Sequence, residues 1–311
     1  MENVDVKNFE GALVGLAVGD ALGMQVEGCH AYEFIRDYGD ARFDSVNRSL
    51  KAGQYTDDTL QMLILTRSII SAGGFDLNAF VSGLKAWGVE IKEDMRRSRG
   101  IGPTSIEAIR KLLGGVSSSE SGGSSPTCGS SMRVAPIGLL YGHDLDLTAE
   151  IAAKSSIPTH RSDEAIAGAV AVAVAVGGVT SGLGIANAIS KARYYAEAHS
   201  KKLADKIELA ISLKDDDARD ALEVIGTSIA ASESVPAALF AALHGESFED
   251  TLLIAVNHGG DTDSIGAMAG AIRGAFHTID GIPGRWLTGL EDCEAIRSYA
   301  KKLYALREMD L

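Results

Sequence analysis

The chain has 311 residues, enough for one large domain or two small ones and ample for a buried core. Hydrophobic residues make up 46%, but aromatics are only 6% beside 35 glycines, so the core has to be built from closely packed Ala, Val, Ile and Leu. Acidic residues outnumber basic ones 42 to 29 and no Lys/Arg-rich run occurs, which excludes a nucleic-acid partner and leaves an anionic ligand to be met by metal ions or backbone N–H groups.

The first predicted element is FEGALVGLAVGDALGM, where Gly11, Gly15, Gly19 and Gly23 recur every four residues. On a helix that spacing clears one face for a second backbone. Gly266, Gly270 and Gly274 repeat the pattern near the other end. Each glycine costs a helix roughly 1 kcal/mol relative to alanine, so the two stripes predict helices packed tightly at a crowded centre. Apolar residues recurring at three and four predict further helices over 60–70, 76–87, 105–113, 147–154, 184–200, 218–232, 248–256 and 294–307.

The segment AIAGAVAVAVAV alternates with a strand's period but is too long for a typical strand. Ser162-Asp163-Glu164 reads as a capped acidic start and Gly177-Gly178 as a stop, so a helix is predicted. Its apolar run, Ala165 to Val179, falls short of the roughly 20 residues a spanning helix needs. A buried core helix and no membrane partner are expected. Cys29, Cys128 and Cys293 are odd in number and far apart, matching neither a disulfide framework nor a zinc spacing. The N-terminus lacks the basic and apolar regions of a signal peptide, and a cytoplasmic location is expected. The Ser/Gly stretch GGVSSSESGGSSPTCGSS, residues 114–131, reads either as a flexible linker or as a binding loop.

Two acidic pairs stand at predicted helix starts. Asp57 and Asp58 lie between Thr56 and Thr59, and Asp261-Thr262-Asp263-Ser264 repeats carboxylates with a hydroxyl. Either pair alone is ordinary capping chemistry. Brought together, four carboxylates repel unless cations lie between them, and this donor set suits Mg²⁺ or Mn²⁺. Glu27, seven residues after Asp20, is a surface glutamate or, beside metals, a general base. Cys29-His30 lacks a third member for a nucleophilic triad. His258 reads as structural rather than ligand-orienting.

Five segments in order, GALVGLAVGDALGMQVEG, YTDDTLQ, CGSSMRVAPIGLL, PTHRSDEAIAGA and HGGDTDSIGAMAGAI, resemble the ADP-ribosylglycohydrolase family over nearly the whole chain. The resemblance implies an all-α fold in one compact domain, residues 1–311, with a binuclear Mg²⁺ centre below an ADP-ribose cleft; Mn²⁺ is a substitute. It puts Thr56, Asp57, Asp58, Asp261, Asp263 and Ser264 among the metal ligands and Glu27 on the functional glutamate, with Asp57 as the alternative base. It puts Gly129, Ser130, Ser131, Met132, Arg133 and His160 along the nucleotide cleft. Where many relatives read Gly-Asn-Gly, this chain has Thr127-Cys128-Gly129, and residues 114–131 contain no aromatic for stacking adenine. The implied activity is Mg²⁺-dependent hydrolysis of the glycosidic bond joining ADP-ribose to an arginine or serine side chain of a protein. Three alternatives stay open: a non-catalytic ADP-ribose-binding or immunity-type protein, a hydrolase of a small ADP-ribose-containing metabolite, and a metal-dependent phosphohydrolase acting on nucleotides.

Overall fold

The computed structural model describes residues 4–28, 35–40 and 50–310, and these build a helical body with isolated bridges, Gly123 to His160 and Thr127 to Ala230, in place of strands. The predicted Cys29-His30 pair lies outside the described residues. Helices α1 (Val6–Gly23), α2 (Asp57–Ala72), α3 (Leu77–Glu93) and α4 (Pro103–Leu113) precede the Ser/Gly stretch. After it come α5 (Ala135–Tyr141), α6 (Leu145–Ser156), α7 (Asp163–Thr180), α8 (Ile185–Glu197) and α9 (Lys201–Ser212). The remainder forms α10 (Ala218–Ile225), α11 (Ala231–His244), α12 (Phe248–Val256), α13 (Thr262–His277), α14 (Gly284–Gly289) and α15 (Cys293–Asp310). The fold is all-α, as the apolar spacing predicts.

The glycine stripes meet each other. Helices α1 and α13 run antiparallel, and a methyl added at Gly11, Gly15, Gly19 or Gly23 would strike the backbone carbonyl of Gly274, Gly270, Gly266 or Thr262 respectively. At the end of this seam the Thr262 hydroxyl donates to the Gly23 carbonyl at 2.8 Å. The last turn of α1 and the first turn of α13 are thereby held side by side.

Helix α7 is apolar on every face, the pattern of a helix surrounded by protein or lipid. It is long and apolar enough to cross a bilayer on length and composition, yet 83% of that span is buried among its neighbours α5, α6, α8, α11 and α13. Its start is the predicted one, with Ser162 Oγ accepting from the Ala165 N–H. Gly177-Gly178 does not stop it. Both remain helical because each admits a close neighbour, Gly177 against Gly138 and Gly142, Gly178 against Ala188, and the chain turns only at Gly182, with φ 86°.

The continuous helix predicted over 218–232 is broken after Ile225. Gly226 adopts φ 91°, and the backbone beyond it is used for pairing. The Cys128 N–H donates to the Ile229 carbonyl at 3.1 Å, the Ala231 N–H to Pro126 at 2.8 Å, and the Asp261 N–H to Thr227 at 2.8 Å. The Ser/Gly stretch is likewise no free linker. Gly123 exchanges bonds with Thr159 and Arg161 at 2.9 Å each, and Ser121 Oγ donates to Pro158 at 2.8 Å. It forms a pinned wall beside the start of α13.

The seam carries a stability prediction. Gly19→Ala has to push two backbones apart and is expected to destabilise the fold by about 2 kcal/mol, read from urea unfolding. Gly284→Ala, with nothing within 4 Å of the added methyl, is expected to stay within about 0.5 kcal/mol of the parent.

Candidate active site

Three chain segments converge at the end of the α1–α13 seam. The turn after α1 carries Glu27 and closes at Gly28, whose φ of 70° suits glycine and whose N–H donates to the Gly260 carbonyl at 3.1 Å, next to Asp261. The first turn of α2 is docked onto α1 by Asp20. Its fully buried carboxylate accepts from the Thr56 N–H at 2.9 Å, the Thr59 N–H at 3.0 Å and the Thr59 hydroxyl at 2.6 Å. The Asp57 N–H donates to the Arg99 carbonyl at 3.0 Å. Helix starts are short of acceptors, and Asp20 with Arg99 supplies them from elsewhere in the fold.

These segments floor a partly open cleft of about 640 Å³, lined by Glu27, Asp57, Asp58, Asp261, Asp263 and Ser264 and, beside them, by Thr127 to Gly129, Met132, His160 and Ile229. No Lys or Arg and no Phe, Tyr or Trp lines it among the described residues. One oxygen each of Glu27, Asp261 and Asp263 lie within 4.8 Å of one another. Asp58 Oδ2 accepts from the Thr56 hydroxyl at 3.1 Å, while its Oδ1 is buried with no protein partner. Burial pushes Asp57, Asp58 and Asp263 well above the ordinary carboxylate range, and like charge adds to it, from Asp20 on Asp57 and Asp58 and from Glu27 on Asp263. Asp261 is also raised by burial, opposed chiefly by the Cys128 thiol, which donates to its Oδ2 at 2.9 Å. Asp20 rises to about 6, again through burial, with its Thr59 and Thr56 bonds pulling it down. A crowded acidic set with an orphaned oxygen fits divalent cations.

The six predicted ligands are therefore gathered in one place, although Thr56 is fully buried beneath the cleft as the N-cap of α2 and does not line it. Of the predicted nucleotide-cleft residues, Gly129, Met132 and His160 line the wall. Ser130, Ser131 and Arg133 do not line it, and their side chains are fully buried. Ser130 Oγ donates to the Ala165 carbonyl at 3.2 Å, Ser131 packs against Gly168, and Arg133 is fully buried. His258 is half-buried and lines no part of the cleft. Asp20 and Ile229 carry roles the sequence reading did not assign. A carboxylate within a glycine-rich apolar helix was a signal for the first; the second, an isoleucine left 57% exposed, had none.

The model of the ADP-ribosylglycohydrolase family matches residues 2–310. The chain belongs to that family. This ADP-ribosylglycohydrolase is 42% identical to an uncharacterized protein of Archaeoglobus fulgidus over 302 residues, 96% of this chain and 97% of the other. It is 28% identical over 316 residues to the ADP-ribosylarginine hydrolase Tri1 of Serratia proteamaculans, covering 97% of this chain and 80% of Tri1. A solved ADP-ribosylglycohydrolase-related protein complex superposes with a TM-score of 0.79 at 28% identity, over 97% of this chain and 98% of that one. The family assignment makes this ADP-ribosylglycohydrolase a glycosyl hydrolase.

The acidic floor predicts a pH dependence. In EDTA the fold retains protons on these carboxyls that the unfolded chain, with carboxyl pKa values of about 4, has released. The floor's contribution to stability is therefore greatest below about pH 4 and declines as pH rises above that value. Urea unfolding from about pH 4 upward is expected to show Asp263→Asn flattening the decline.

Proposed function

We propose that this ADP-ribosylglycohydrolase hydrolyses the glycosidic bond joining ADP-ribose to an arginine or serine side chain of a protein, with two divalent cations, Mg²⁺ or Mn²⁺, held at the acidic floor. The observation that carries the reading is the convergence of Glu27, Asp57, Asp58, Asp261 and Asp263 on one cleft, with no Lys or Arg lining it among the described residues. Thr56, Asp57, Asp58, Asp261, Asp263 and Ser264 are the residues that would hold the ions. When bound, such cations supply charge neutralisation and Lewis acidity.

The remaining work falls to the chain. Cleavage of a glycosidic bond passes through an oxocarbenium-like state, whose positive charge the surrounding carboxylates favour. Glu27, at the mouth of the floor and only partly buried, takes the proton of the attacking water as general base, with Asp57 as the alternative. Asp57 is the weaker choice because Gln61 Nε2 already donates to its Oδ2 at 2.7 Å. Gly129 with the neutral His160, in the same cleft, receives the anionic half of the ligand without adding charge. Ile229 is the apolar surface available to a purine. Cys128 and Cys293 are both free thiols, which agrees with a reducing cytoplasm as the place of action.

Arginine-linked and serine-linked ADP-ribosyl peptides incubated with the protein and Mg²⁺ are expected to release free ADP-ribose, with the release lost in EDTA and in Asp261→Asn. Which peptide is cleaved identifies the linkage. Glu27→Gln is expected to lower kcat by about 10²- to 10⁴-fold while retaining metal binding; an unchanged rate moves the base to Asp57. Release of inorganic phosphate or pyrophosphate in place of ADP-ribose would overturn the reading.

A further inference from the structure

Arg133 lies fully buried behind the cleft wall, with its guanidinium engaged by neutral acceptors. It donates to Gln61 Oε1, to the Ser155 carbonyl at 3.0 Å and to Thr159 Oγ1 at 2.8 Å, and its plane lies over the Phe80 ring at 5.1 Å. A buried cation without a paired carboxylate is costly, so its placement calls for a function.

Thr159 Oγ1 also lies 2.9 Å from His160 Nδ1. A guanidinium can only donate, so Arg133 occupies a lone pair of that hydroxyl and leaves its single hydrogen to be placed. The two acceptors in reach are His160 Nδ1 at 2.9 Å and the Ser156 carbonyl at 3.4 Å. Hydroxyl bonds lie at roughly 2.5–3.0 Å, so the hydrogen goes to Nδ1. Polarisation by the guanidinium makes the hydroxyl a better donor and a poorer acceptor, which favours the same direction. Nδ1 is then unprotonated and the ring proton sits on Nε2. Nε2 lies on the Gly129 side of the ring, where a methyl on Gly129 would cover it, and has no protein partner among the described residues. Burial, and next the charge of Arg133, hold the ring neutral, with its pKa pushed down to about 3.

We infer that Arg133, acting through Thr159, is a positioning residue that fixes His160 as the Nε2–H tautomer and so presents one N–H donor to an acceptor oxygen of the ligand. The choice of tautomer is independent of what the ligand is; that the oxygen belongs to ADP-ribose rests on the function proposed above. A donor fixed in this way donates to phosphate or ether oxygens and disfavours a donor group at the same point.

The test is a ¹⁵N–¹H correlation spectrum of histidine-labelled protein, with isothermal titration of ADP-ribose alongside. The wild type is expected to show His160 with a protonated Nε2 and an acceptor-type Nδ1, and Thr159→Ser to keep that pattern. Thr159→Val is expected to lose the acceptor signature at Nδ1, giving mixed or Nδ1–H tautomers, and to bind ADP-ribose about tenfold more weakly, with Thr159→Ser restoring affinity. A wild-type spectrum with the proton on Nδ1 overturns the inference even if no variant folds. So does a Thr159→Val spectrum identical to the parent. The expected tautomer pattern without any ADP-ribose binding supports the relay and instead overturns the proposed ligand.

Discussion

Along the seam between α1 and α13 the opposing surfaces are backbones, from Gly11 against Gly274 to Gly23 against Thr262. Helices ordinarily pack with axes 8–10 Å apart, separated by side chains. Removing those side chains over four turns brings the helix ends together more closely than branched residues allow. The consequence is local: Asp20 on α1 can reach the first turn of α2, and Asp261 and Asp263 at the start of α13 come beside Asp57 and Asp58. Glycine's helix penalty of roughly 1 kcal/mol per residue is offset by apolar burial, with Phe9, Leu13, Leu16 and Ile272 all inaccessible to solvent on the same two helices.

Six acidic residues lie in this small volume, and their bonding separates them into two kinds. Asp20 has its oxygens covered by protein donors, and its pKa is only moderately raised, to about 6. It is a structural carboxylate that needs nothing else. Asp58 has an oxygen with no protein partner, and Asp57, Asp58 and Asp263 are raised well above their ordinary values. Evolution towards stability alone would replace or pair such groups. Their retention at a cleft, facing inward, is the physical argument for a ligand that carries positive charge.

Much of this was legible in the sequence, and for reasons that can be named. The period-four glycines mark helix faces with no side chains, so tight helix packing was readable from spacing; acid pairs at two helix starts left open whether they meet, which the family resemblance implied. What spacing cannot report is the use of backbone far along the chain. The break after Ile225 arises because Thr227 and Ile229 bond to Asp261 and Cys128, partners distant in sequence. Gly177-Gly178 misleads for the opposite reason, since glycine reads as a stop locally while Gly138, Gly142 and Ala188 pack onto it in the fold. The inward turn of Ser130, Ser131 and Arg133 was hidden similarly, because a motif names residues without saying which face the wall.

The departure at Thr127-Cys128 gains meaning from the wall's orientation. Cys128 lines the cleft, but its thiol is engaged, donating to Asp261, and burial beside that carboxylate pushes its pKa well above the ordinary thiol value. It stays protonated and serves as a neutral donor to an acidic residue. His160 is kept neutral by burial and by Arg133, and Gly129 contributes no side chain at all. Among the described residues the cleft lining other than the acids is thus uncharged, in a protein whose net charge is −13. An anionic ligand can approach such a wall only if attraction comes from the floor, and the floor attracts an anion only when cations have reversed its sign. On the function proposed above, ion binding and ligand binding would therefore be coupled by electrostatics, the ions preceding the ligand.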